Sequence, residues 1–146
     1  MLKIGEKAPD FKLLDQDNKE HSLSNYLGQF VLIYFYPKDD TPGCTKEACM
    51  IRDDFHNFKK INAKVIGISA DSPASHKKFA EKYNLPFTLL SDEKRAVIEK
   101  YGAKKEIGIK RMSYLLDING FVVKIYPFVK PEMHAKEVLN DLEALT

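Results

Sequence analysis

Seven consecutive apolar residues, Phe30-Val31-Leu32-Ile33-Tyr34-Phe35-Tyr36, form the longest hydrophobic run of the chain. A run so rich in β-branched and aromatic side chains predicts a strand buried on both faces, at the centre of a sheet. Ala63 to Ser69 repeats that pattern, and the stretch between them carries a different period. Ala48, Ile51, Phe55 and Phe58 fall on one stripe at about 100° per residue, which predicts a helix over about 42–60 and a right-handed crossover between two parallel strands.

The rest of the chain parses in the same way. Residues 10–15 alternate partially and predict a short strand, with the turn Asp17-Asn18-Lys19 and a return through His21-Ser22-Leu23. Ser24 to Leu27 predicts one helical turn stopped by Gly28. Ser72-Pro73 supplies a cap and a first-turn proline for a helix reaching about Tyr83, followed by an extended segment at 85–90 and a helix from Glu93 to Tyr101. Lys104 to Lys110 is a polar loop. Asn119-Gly120 between the apolar runs 112–117 and 121–126 is a strong hairpin signal. From Pro131 onward, Ala135, Val138, Leu139, Leu142 and Leu145 recur at helical spacing. The pattern predicts one α/β domain, residues 1–146, with a central mixed β-sheet flanked by helices.

Composition narrows the function. At 44% hydrophobic and 30% charged residues the chain has an ordinary globular make-up, and 23 lysines and arginines against 21 acids leave no field directed at nucleic acid or membrane. No apolar run approaches the roughly 20 residues of a membrane helix, and Met1 to Ile4 is too short for a targeting core. Two neighbouring cysteines do not make a secreted disulfide framework, so a reducing compartment, the cytoplasm, is expected.

Both thiols, Cys44 and Cys49, lie where the helix after the central strand begins. Cys44 heads the apolar stripe of Ala48 and Ile51, whereas Cys49 points roughly 160° away from Ile51. Residues i and i+5 of a helix have Cα atoms about 8.6 Å apart, beyond the roughly 7 Å limit for a disulfide. A static bridge is therefore disfavoured. Two unpaired structural cysteines, or a bond formed only during a redox cycle, remain open. The four histidines, His21, His56, His76 and His134, have no ligand spacing and are expected on the surface, with no metal site. Arg111 stands directly before a buried strand, where its charge is either aimed at the sheet edge or exposed to water.

Pro37-x3-Thr41-x2-Cys44 resembles the peroxiredoxin active-site pattern Pro-x3-Thr/Ser-x2-Cys. The longer run from Tyr36 to Cys49, continued by Arg52-Asp53, looks like the bacterioferritin comigratory protein (PrxQ) branch. Gly5-x2-Ala8-Pro9-Asp10-Phe11, Ile68-Ser69-x-Asp71-Ser72 and Arg111-x-Ser113-Tyr114-Leu115-Leu116-Asp117 extend the match, with Ser113-Tyr114 where the family more often has Thr-Phe. The resemblance implies a thioredoxin-like fold and a thiol peroxidase acting on hydrogen peroxide and organic hydroperoxides. Cys44 would be the peroxidatic nucleophile and Cys49 the resolving thiol. Thr41 and Arg111 would bind the peroxide, Pro37 would shield the thiolate, Glu47 would orient Arg111, and Gly43 would support the site. It further implies a Cys44–Cys49 disulfide reduced by a thioredoxin or glutaredoxin-type partner, no cofactor, and a monomer. A thioredoxin-type reductase would instead need Cys-x-x-Cys, and a non-catalytic redox switch would oxidise once without turnover.

Overall fold

A computed structural model describes residues 1–146. Seven strands form one sheet: β1 (Lys12–Asp15), β2 (Glu20–Ser22), β3 (Phe30–Phe35), β4 (Ala63–Ser69), β5 (Thr88–Ser91), β6 (Met112–Leu116) and β7 (Val122–Tyr126). Their order is β2-β1-β5-β4-β3-β6-β7, with β3, β4 and β5 parallel and the remaining pairs antiparallel. The central apolar run is thus the inner strand β3, between β4 and β6, as its composition requires. This is the thioredoxin-like mixed sheet expected from the sequence.

Alternation along β3 divides the core. Val31, Ile33 and Phe35 face one layer with Ile66, Ile68, Tyr101 and Tyr114, beneath α4 (Ala96–Lys100). Leu32, Tyr34 and Tyr36 face the other layer, covered by α1 (Pro42–Asp53), α2 (Phe55–Lys60), α3 (Pro73–Tyr83) and α5 (His134–Leu145). Cys44, Ala48 and Ile51 belong to this second cluster, so the apolar stripe of α1 faces the sheet. Gly67 on β4 makes that layer possible. A Cβ there would lie 2.7 Å from the Tyr34 ring, so only glycine leaves room for it.

Several boundaries differ from expectation. The helix expected over 42–60 is two helices, because the chain turns at Asp54 (φ −101°, ψ 8°) and re-aims Phe58 into the core while Phe55 packs on Phe87. The helix expected from Glu93 starts only at Ala96. Asp92 accepts a hydrogen bond from the Ile98 N–H at 2.7 Å, and Arg95 takes a left-handed turn (φ 60°) before the first helical residue. The last helix begins at His134 rather than Pro131, and its Leu145 is exposed near the frayed end.

Candidate active site

Strand β3 ends at Phe35, and Tyr36 leads into the loop 37–41 before α1. Neighbouring β6 runs antiparallel with Phe35 opposite Met112, so Arg111 arrives at the same sheet edge from which the loop departs. That register resolves the alternatives for Arg111: it is half-buried and aimed at the sheet edge. Its Nη1 donates to Glu47 Oε1 at 2.8 Å and its Nη2 donates to Cys44 Sγ at 3.3 Å. One planar guanidinium thus spans a carboxylate and a sulfur, which an ammonium could not do with the same geometry. Gly43 makes the approach possible, since a Cβ there would sit 2.9 Å from Arg111 Nη2.

The electrostatics are set by burial. Cys44 is buried and Cys49 partly exposed, and both thiols are free within one continuous helix. Glu47 is completely enclosed. Burial pushes its carboxyl up to about 7, while Arg111 pulls it back. Burial also works against the charge of Arg111, but the Cys44 sulfur and Glu47 outweigh it and hold the guanidinium more firmly protonated. Glu47 Oε2 and the Tyr34 hydroxyl remain without hydrogen-bond partners in this layer. Thr41 precedes the helix in extended conformation, and its hydroxyl donates to the Lys38 carbonyl at 2.8 Å. With its hydrogen committed there, the oxygen is left as an acceptor. Pro37 is exposed at the start of the loop. On its outer side Arg111 lines a groove of about 400 Å³ with Met112, Pro127 and Phe128.

Comparison with known proteins agrees with this geometry. Residues 4–125 match the AhpC/TSA family. The chain belongs to that family. It is 50% identical over 145 residues to the chloroplastic peroxiredoxin Q of Oryza sativa subsp. japonica, covering 97% of this chain and 67% of the plant protein. A bcp peroxiredoxin of Coxiella burnetii is 45% identical over 149 residues, covering 97% and 99% of the two chains. The crystal structure of the peroxidoxin BcpB from Mycobacterium tuberculosis superposes with a TM-score of 0.94 at 33% identity, covering 100% and 99%. With these peroxiredoxins the chain shares thiol-dependent peroxidase chemistry on hydroperoxides, with a thioredoxin-type reductant.

The structure brings Cys44, Gly43, Glu47 and Arg111 together, and keeps Cys49 on the partly exposed side of α1. The histidine expectation is corrected. His56 is exposed, but His76 and His134 are fully buried and His21 is partly so. Each buried or partly buried ring has a polar partner: Asp39 for His76 and Ser113 for His134, from other elements of the fold, and Asp15 for His21, from the neighbouring strand of the same hairpin. Burial lowers the His134 pKa, in keeping with a neutral ring between Ser113 and Glu137. Sequence reasoning also missed Asp39, which lies inside the motif it singled out. Three hydrogen bonds to side chains fix it, and two of their donors come from another helix.

Proposed function

We propose that Cys44 is the peroxidatic nucleophile and Cys49 the resolving thiol of a peroxidase cycle for hydrogen peroxide and organic hydroperoxides. The observation that carries this reading is the Arg111 fork, 2.8 Å from Glu47 and 3.3 Å from the Cys44 sulfur. A thiol attacks as thiolate, and a guanidinium together with a helix N-terminus favours that form. Peroxide enters with one oxygen facing the sulfur. Thr41 accepts its O–H, and Arg111 stabilises negative charge as it grows on the departing oxygen. The O–O bond breaks, Cys44 becomes a sulfenic acid, and the distal oxygen leaves as water or an alcohol. Cys49 then attacks the Cys44 sulfur and expels water, closing a disulfide that a thioredoxin or glutaredoxin-type dithiol reduces. Pro37 shields the thiolate from water, and the groove beside Arg111, lined by Met112, Pro127 and Phe128 together with Lys105 and Lys110, leaves room for the carbon tail of an organic hydroperoxide. No metal or organic cofactor enters this cycle. The protein acts as one domain, as a monomer, in the cytoplasm.

Steady-state peroxide consumption with a thioredoxin system tests the assignment. Cys44→Ser abolishes turnover, because a serine hydroxyl is a far weaker nucleophile at neutral pH. Cys49→Ser consumes one equivalent and accumulates a sulfenic acid that dimedone traps. Turnover retained in Cys44→Ser would overturn the reading.

A further inference from the structure

Beneath the loop that carries Thr41 lies a second buried charge cluster. Asp39 is buried, and its carboxylate accepts from Tyr36 Oη at 2.6 Å, from Ser75 Oγ at 2.8 Å and from His76 Nδ1 at 2.6 Å. The other nitrogen of His76 faces the Leu90 carbonyl at 3.0 Å. A carbonyl oxygen only accepts, so Nε2 carries a hydrogen, and one further proton is shared between Nδ1 and the Asp39 carboxyl. The buried ring thus bridges the Asp39 side chain and the Leu90 carbonyl, and both of its nitrogens are engaged. The Asp39 N–H also donates to Asp71 Oδ2 at 2.9 Å, which accepts from Ser69 Oγ at 2.7 Å. The facing atoms of Asp39, Asp71 and His76 lie within 4.8 Å of one another, a spacing a cation could span. Each is already engaged in hydrogen bonds within the protein, so the cluster is a closed polar network rather than a metal seat.

We propose that His76 is a positioning residue for peroxide attack, acting through Asp39 to hold loop 37–41 at the depth where Thr41 meets the peroxide. The proposal rests on the Cys44 and Thr41 roles given above. Asp39 precedes Thr41 by two residues and Cys44 by five. The anchor reaches α3 through Ser75 and His76 and β5 through the Leu90 carbonyl, so it ties the loop to two separate elements. The loop's outward tether is weaker. Asp40 (φ 55°) meets Lys82 and Tyr83 at 2.8 Å at the surface, where solvent screens the contact. A buried polar group left without a partner is costly to keep in place, so loss of the His76 ring removes the link to Leu90 and loosens the inner anchor that Tyr36, Ser75 and Asp71 still share.

The test compares two reactions of reduced Cys44: hydrogen peroxide, which needs Thr41 in place, and iodoacetamide, which needs only the thiolate. In His76→Phe the peroxide rate constant falls about 30-fold or more, since a displacement near 1 Å costs up to about a hundredfold. The iodoacetamide rate stays within about threefold of wild type, because Arg111 and the start of α1 still act on the sulfur. His76→Gln, which can donate to Asp39 or to Leu90 but not to both, falls between wild type and His76→Phe in peroxide rate, with the same selectivity. A folded variant with the wild-type peroxide rate overturns the proposal. So does parallel loss of both reactions, or failure of both variants to melt cooperatively, either of which makes the pair a structural support. Cys44→Ser, assayed alongside, separates the two levels. If it turns over, the nucleophile assignment fails. If it is dead while His76→Phe reacts normally, only the positioning role fails.

Discussion

Helices α1 and α3 begin in the same way and are used in opposite ways. Each follows a parallel strand and a polar loop, each has an extended residue before it (Thr41, φ −103°, ψ 155°; Ser72, φ −73°, ψ 161°), and each has proline in its first turn. Ser72 accepts a hydrogen bond from the Ser75 N–H at 3.1 Å and so closes the end of α3. Thr41 makes no such bond. Its hydroxyl turns back to Lys38, leaving the first turn of α1 open beside the thiol. The interiors differ in the same sense. His76 on α3 has a partner for both ring nitrogens, whereas Glu47 on α1 is fully buried with one oxygen unpartnered. One helix is finished as structure. The other keeps an uncapped end and an incompletely satisfied carboxylate beside the proposed nucleophile. Such unmet polar groups weaken a fold locally, and a helix that must unwind to bring two thiols together benefits from that weakness.

The sharpest test of the contrast is oxidation. A Cys44–Cys49 disulfide cannot form while 44–49 stay helical, so the bond replaces the first turns of α1. Amides of residues 42–52 exchange about a hundredfold faster or more in the disulfide form than in the dithiol form, while those of α3 change little. Far-UV circular dichroism shows a small accompanying loss of helix. Equal protection of α1 in both forms would remove the unwinding step and leave Cys49 without access to Cys44 in the same chain.

A smaller effect separates the two buried ionisable residues. The Glu47 carboxyl is raised by burial from 4.5 to about 7, against the pull of Arg111. Between those values the folded chain keeps a proton that the unfolded chain has lost. The stability is therefore fully present below about 4.5 and is lost as pH rises through about 7. Glu47→Gln removes this dependence. At pH 8 the variant is more stable than wild type by about 1–3 kcal/mol, and the gap closes towards pH 5. Its peroxide rate nevertheless falls about tenfold, because Arg111 loses its charged anchor. Urea melts at the two pH values and stopped-flow oxidation measure both. A gap that does not change with pH would mean that Glu47 is not the titrating group.

The least effect is expected at the two caps. Ser72→Ala lowers unfolding free energy by about 1 kcal/mol, and Thr41→Ala by no more than about half of that, although only the latter slows peroxide reduction. Equal costs in denaturant melts would show that Thr41 caps α1 in solution and that the two helix starts are alike.

The chain's local patterns carried much of this. Apolar runs, alternation and turn signals placed every strand within a few residues, and the 3.6-residue period put Cys44 on the buried stripe, because these are properties of neighbouring residues. The boundaries that moved did so through contacts that periodicity does not encode: the Asp92 carboxylate on Ile98, the turn at Asp54, and the late start of α5. The composition of the 37–49 motif, with thiol, hydroxyl and prolines at a strand-to-helix junction, likewise marked this end of the sheet as the candidate site.

What only the tertiary structure decided is where distant charges meet. Arg111 lies 64 residues from Glu47 and 67 from Cys44, and they touch because β6 pairs with β3 in a register that delivers Arg111 to the loop. The same holds for His76 and Asp39, separated by 37 residues and joined across a crossover. A lone histidine in a polar helix reads as a surface residue, because nothing in its neighbours announces a buried carboxylate. The helical period tells which side of α3 turns inward, but the strand order determines what waits there. Coulombic partners in a protein interior are chosen by topology, and a one-dimensional pattern carries the faces of elements but not the arrangement that brings those faces together.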